Sequence, residues 1–201
     1  LIDPATTYID VGVTIGRDAV IRPNTFLEGD TRIGKGCEVG PNVRVTDSTI
    51  GDGCRLQFAV LEGASMGAGS DAGPFARLRP GAELGEQVDV GNFGEIKASV
   101  IAARSKANHL SYIGDATVGR DVNIGAGTIV CNYDGAHKHR TVIEDDVFIG
   151  SDTQLIAPVT VGRGATLGAG TTLAHDAPPD KLTVSRTRQL TVDGWRRPRK
   201  K

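Results

Sequence analysis

Aromatic rings and thiols are scarce in this chain, and long apolar runs are missing from it. Of 201 residues only five Phe, three Tyr and one Trp carry rings, so a core of any size must be filled by Ile, Val and Leu. The cysteines, Cys37, Cys54 and Cys131, are odd in number and form no C-x-x-C pair, which argues against a disulfide framework and a cysteine zinc site. No apolar run approaches the length of a membrane span, and the start carries no signal-peptide pattern. A reducing, cytoplasmic setting is expected. The nucleophile elbow, the P-loop and the dinucleotide fingerprint are absent as well. The chain begins at Leu1 and not Met, as a piece of a longer protein would.

What the chain has instead is glycine, 27 in all, set in a six-residue period. An aliphatic residue recurs at Ile15, Ile21, Leu27, Ile33, Val39 and Val45. After five-residue steps near Ile50 and Leu61 the period resumes from Met66 to Ile96, and a third run extends from Val118 to Leu173. Four residues after each aliphatic position sits a small or β-branched residue, Cys37 among them, and Cys54 fills a like slot; both thiols are expected to be inert core. Six is a poor multiple of 3.6, and hairpins would alternate at every second position. Short strands with a turn after each, three to a coil, satisfy the pattern. This is the hexapeptide repeat of the left-handed parallel β-helix, the hand coming from that resemblance. An all-β solenoid domain over 1–173 is expected, with an inserted loop at about 131–142, a second irregular stretch from Ala102 to Tyr112, and a basic tail over 174–201.

Charge is divided between these parts. From Lys181 onward there are eight Lys or Arg against Asp193, whereas the rest has 15 basic and 23 acidic residues. Such a tail suits nucleic acid, an anionic membrane surface or a phosphorylated small molecule. The irregular middle gathers three of the four histidines. His109 is the best candidate general base, since an imidazole accepts a proton near neutral pH. His137 and His139 could bind zinc with His109 as a third ligand, in the manner of hexapeptide-repeat carbonic anhydrases, but Lys138 and Arg140 beside them would repel a cation. Glycine-turn residues such as Asn123, Ala126, Ser151 and Ala169 read as structural on their own.

Several motifs go further. GPFARLRPGAEL (73–84), VGNFGEIK (90–97), NHLSYIGDA (108–116), NIGAGT (123–128), CNYDG (131–135) and GSDTQLIAPVTVG (150–162) resemble the acetyltransferase domain of bacterial bifunctional N-acetylglucosamine-1-phosphate uridyltransferase/glucosamine-1-phosphate acetyltransferase. The likeness covers nearly the whole chain but only that family's C-terminal half, so uridylyl transfer is not attributed to it. It implies N-acetylation of glucosamine 1-phosphate by acetyl-CoA, a step toward UDP-N-acetylglucosamine for peptidoglycan and lipopolysaccharide. It gives His109 the role of base, Glu95 that of orienting it, and Ser151 that of stabilising the oxyanion. Arg79, Lys97, Tyr112, Asn123 and Asn132 are implied as sugar-phosphate contacts. Ala126, Asn132, Tyr133, Ser151, Ala169 and Arg186 are implied as acetyl-CoA contacts, Arg186 giving the basic tail a CoA phosphate to meet. A homotrimer with sites between neighbouring prisms is implied too, with no metal and neither nucleic acid nor membrane as partner. Gly94 stands where valine is common in the family, and slightly looser packing is expected there. The alternatives are a zinc hydratase and an inert oligomerising scaffold.

Overall fold

The structure, a computed structural model, describes residues 1–186 and 189–197. The basic-tail residues Thr187, Arg188 and 198–201 lie outside that description. Among the described residues every strand pairs in parallel, within sheets of ten, nine and ten strands. Each strand bonds to the third one along the chain, so the backbone winds around a three-sided prism. This is the left-handed parallel β-helix that the hexads imply. Face one begins at Thr7–Ile9, face two at Thr14–Ile15 and face three at Val20–Ile21. Among the described residues the only helical segment is the 3-10 turn Pro4–Thr6, and none is a helix long and apolar enough to cross a membrane.

The core follows from the period. One aliphatic side chain per face per coil points inward and stacks on its counterpart in the next coil. Leu61, Leu78, Ile96 and Ile113 form such a column on face one, all without solvent exposure. Cys37 and Cys54 are fully buried, their thiols donating to the carbonyls of Gly51 and Gly67 at 3.0 and 3.1 Å. The prism is too narrow for rings in these slots, which accounts for their scarcity.

Two expectations need correction. Ala102 to Tyr112 is no extruded stretch: Lys106–His109 is a strand of face three, and buried Ala107 stacks between Val90 and Ile124. Alanine in the aliphatic slot hid the hexad. Nor does Gly94 loosen the core, because a Cβ there would lie 2.8 Å from Val90 Cγ1; the valine has taken the space. The inserted loop does leave the prism, over 132–140, between strands Ile129–Cys131 and Thr141–Ile143. Strand pairing also continues past Leu173, since Leu182–Thr183 pairs with Thr166–Leu167 and Ala177 is buried against the last coils.

The small-residue slot has its own bonding rule. Thr25, Thr31, Thr128 and Thr153 each donate their hydroxyl to the carbonyl three residues back, at 2.7 to 2.8 Å. Thr141 occupies the same slot, but three residues back lies Lys138 in the inserted loop, and its buried hydroxyl has no partner. Thr141→Val is therefore expected to raise stability by up to about 1 kcal/mol, because it removes a desolvated unpaired group. Chemical denaturation reads this directly; a lower midpoint would mean that the hydroxyl is satisfied in solution.

Candidate active site

The strand register sets up a ridge along the corner between faces three and one. Ala107, Ile124, Ile149 and Leu167 are successive partners on face three, so the residues two places on, His109, Ala126, Ser151 and Ala169, follow one another along that corner. At one coil per ~4.8 Å they span about 14 Å. Arg186 closes the row: a Cβ on Gly168 would lie 2.7 Å from its Nη2, so the guanidinium covers the backbone beside Ala169. Asn123 lies off the ridge, on face three between Lys106 and Phe148.

The residue that follows each ridge position turns the corner with positive φ. Before the ridge these turn residues are Phe58, Phe75 and Phe93, then Leu110; after His109 they become Gly127, Asp152 and Gly170. The left-handed region is costly for bulky side chains, so rings there need a reason. They form a ladder with 5.3 Å between successive centroids, half-buried Phe58 tilted against Phe75, and exposed Phe75 stacked on exposed Phe93. The ladder ends beside His109, and the small-residue ridge begins.

His109 is exposed, with Nδ1 3.0 Å from Asn92 Oδ1. An amide oxygen can only accept, so Nδ1 carries the proton and Nε2 keeps its lone pair free. Asn92 is the cross-strand partner of His109, and no signal in the linear sequence singles it out. Glu95 was expected to orient the base, but within one chain it bonds to Arg79, Nη1 to Oε1 at 2.9 Å. The reason is register: Glu95 pairs with Arg77 and Tyr112 on face one, whereas His109 belongs to face three.

A second cluster forms where face one ends. Lys97 Nζ lies 3.2 Å from Asp115 Oδ2, with both side chains less than a fifth exposed. Asn132, reaching in from the inserted loop, donates from Nδ2 to the same carboxylate at 2.5 Å and lies 3.5 Å from the Tyr112 hydroxyl. Gly114 makes room for this, as a Cβ there would lie 2.4 Å from that hydroxyl and 2.8 Å from Asn132 Nδ2. Burial pushes the Asp115 carboxyl up, but the bonds from Asn132 and Lys97 outweigh it and hold the group below its ordinary range. Lys138 completes the cluster from the loop. Contact with the Lys97 amine lowers the Lys138 pKa, and that same contact, with Asp115, raises Lys97. Arg79, Lys97 and Lys138 thus crowd into one place with two carboxylates between them. The surplus is positive, and it suits an oxyanion with several oxygens.

Tyr133 sits on the loop surface, its hydroxyl donating to Gly135 O at 2.6 Å. The histidines do not converge: His139 Nε2 is 2.7 Å from Asp134 Oδ2 and His109 is held by Asn92. Among the described residues no three His, Cys, Asp or Glu gather as a metal-binding group. Cavities of about 470 and 420 Å³ lie against the first coils, lined by residues such as Arg22 and Arg55 or Phe26 and Arg44. Neither touches the ridge or the cation cluster. His109 stands exposed at a corner of the prism, whereas Lys97 and Asp115 are mostly shielded and Asn132 of the inserted loop is buried against them.

Comparison with known proteins agrees with this architecture. The bacterial transferase hexapeptide family (six repeats) matches residues 12–47 and 140–175. Among solved structures, UDP-N-acetylglucosamine acyltransferase from Francisella novicida superposes over 90% of this chain and 66% of its own, with TM-score 0.63 at 16% identity. The Campylobacter jejuni enzyme of the same name gives TM-score 0.56 at 20% identity over 90% and 69%. At such identities the likeness is one of fold. In sequence, the chain is 61% identical over 98% of its length to the bifunctional protein GlmU of Azoarcus sp. (strain BH72), and 60% over 94% to that of Methylococcus capsulatus (strain Bath). It spans 44% and 41% of those relatives' lengths. The chain belongs with the bifunctional GlmU proteins, as the counterpart of somewhat less than half of them.

Proposed function

We propose that this chain acetylates the 2-amino group of glucosamine 1-phosphate with acetyl-CoA, supplying N-acetylglucosamine 1-phosphate for UDP-N-acetylglucosamine and the cell-envelope polymers built from it. The observation that carries the reading is the ridge: an imidazole with a free Nε2 heads about 14 Å of small side chains that ends at a guanidinium. A pantetheine arm lies flat along Ala126, Ser151 and Ala169, and Arg186 meets a CoA phosphate. The thioester then sits by His109.

The chemistry balances without a covalent enzyme intermediate. The amine reacts as the free base, its ammonium proton having passed to solvent, and His109 Nε2 takes one further proton from the nitrogen as it attacks the thioester carbonyl. The new C–N bond gives a tetrahedral oxyanion, to which the Ser151 hydroxyl donates. Collapse breaks the C–S bond, and the imidazolium returns a proton to the leaving thiolate. Arg79, Lys97 and Lys138 hold the sugar phosphate, with Tyr112 and Asn132 beside them, so positioning supplies much of the rate.

Within one chain no bond among the described residues links the ridge to the cation cluster, and Asn123 belongs to the face away from Lys97. Two copies packed corner to corner, three in a closed ring, unite the halves, and the exposed Phe ladder beside His109 is a surface suited to that packing. Glu95, Tyr133 and Asn132 then act from the neighbour as much as from the same chain. The cytoplasm supplies both substrates.

The direct test is thiol release from acetyl-CoA. It is expected to require glucosamine 1-phosphate, to fail with N-acetylglucosamine 1-phosphate, whose nitrogen is already acylated, and to persist in chelator. Absence of release, or an activity that chelator abolishes, refutes the proposal.

A further inference from the structure

The inserted loop carries a lock that none of the site chemistry above uses. Asp134 Oδ1 accepts from the backbone N–H groups of Ala136 and His137 at 2.8 and 2.7 Å, while Oδ2 lies 2.7 Å from His139 Nε2. His139 in turn donates its own N–H to Asn132 O at 2.8 Å, and Asp134 N donates to His137 O at 3.2 Å. Tyr133 and Lys138 form an antiparallel bridge across the loop. The excursion is thus a hairpin tied to one carboxylate. Its two legs deliver Asn132 to Asp115 and Lys138 to Lys97.

We infer that Asp134 and His139 are positioning residues for the oxyanion site: by closing the loop they fix the distance between Lys138 and Lys97, and so the span of phosphate that the site accepts. Neither side chain touches the cluster; both act through Asn132 and Lys138. The arrangement has a physical logic. Two lysine amines repel when both are charged, and the pull of Asp115 on Lys138 does not offset the push from Lys97. Something must hold Lys138 against that repulsion until an anion arrives, and the Asp134 tie is the structure that does so. The three bonds also keep the Asp134 carboxyl well below the usual carboxylate range, the amide of His137 first and the His139 ring next, so the tie stays ionised wherever the enzyme is folded and active.

This inference rests on the cluster binding the sugar phosphate, and the test separates the two. Asp134→Ala is expected to raise KM for glucosamine 1-phosphate about tenfold with kcat within about twofold, the size of one weakened charge-assisted contact. Asp134→Asn keeps an oxygen for the two amides and is expected to recover most of the loss. His139→Ala, which removes one of the three bonds, is expected to fall between. An unchanged KM in Asp134→Ala, a fall in kcat alone, or no rescue by asparagine overturns the inference. A second readout needs no turnover. The Lys138 side-chain titration, followed by NMR in the intact protein, is expected to move up toward the ordinary lysine value in Asp134→Ala as the amine leaves Lys97. If it stays where it is in the wild type, the tie does not position Lys138. If the wild type fails to acetylate the sugar while the Lys138 titration moves as expected, the functional reading falls and the positioning role stands.

Discussion

His109→Ala is expected to lower kcat for acetyl transfer by about 10² to 10⁴-fold, the usual contribution of a positioned general base. KM for both substrates should change little, because the imidazole head of the ridge is placed to move a proton and not to anchor a ligand. The signature that separates a base from a structural residue is pH. Without the imidazole the reaction depends on amine already deprotonated by solvent, so the deficit narrows as pH rises. His109 is exposed and, among the described residues, its ring is bonded to Asn92 alone, so its loss leaves no core void and the folded prism should survive, which circular dichroism can check. Asn92→Ala, which frees the tautomer without removing the base, is expected to cost about tenfold in kcat, in line with other groups that orient a catalytic imidazole. A mutant lacking the imidazole that keeps wild-type kcat near neutral pH would remove the proposed base altogether.

Much of the prism could be read in the sequence because each coil repeats one demand: an inward aliphatic, a small residue four places on, a glycine where the turn is tight. Where a coil meets that demand with an unusual residue, the pattern fades while the structure does not. Ala107 is the clearest case. Its methyl group fills the slot, yet it does not stand out as a core residue, and a regular strand read as irregular. The candidate site is legible by residue type and motif, not by geometry. His109, Lys97 and Asn132 stand out in the sequence, but pairing across coils depends on a register that five-residue steps shift, and no linear spacing gives it. That is why the Glu95–Arg79 bond and the contact of His109 with Asn92, 17 residues upstream, emerge only once the strands are paired. Lys138 shows a different failure. In the sequence it reads only as a residue that would repel a metal, although the same charge, set against Lys97, recommends an anion. Asp115 lies within NHLSYIGDA, and nothing in a sequence says that a lysine 18 residues earlier needs it.

Lys97→Met is expected to raise KM for glucosamine 1-phosphate by roughly 10 to 100-fold, the loss of one charge-assisted hydrogen bond to phosphate. It should also destabilise the protein by about 2 kcal/mol, less than a fully buried pair would cost because both side chains keep some solvent contact. The second effect comes from Asp115. Its carboxyl is held low by Asn132 and Lys97 against burial, so it contributes stability above the unfolded carboxylate range and loses it as pH falls through the folded value. Without the lysine, burial dominates and the carboxyl titrates at higher pH, so the stability penalty should shrink in acid, where Asp115 becomes neutral in mutant and wild type alike. The two roles of Lys97 can be parted by a second change. Replacing Lys97 with Met and Asp115 with Asn together removes both shielded charges while keeping an oxygen for Asn132 and a residue that tolerates the positive φ of position 115, and stability is expected to recover most of the loss. KM for the sugar phosphate should stay high, because the cation itself is gone. Were affinity to recover along with stability, Lys97 would be a partner for Asp115 and nothing more, and the phosphate would have to be held elsewhere.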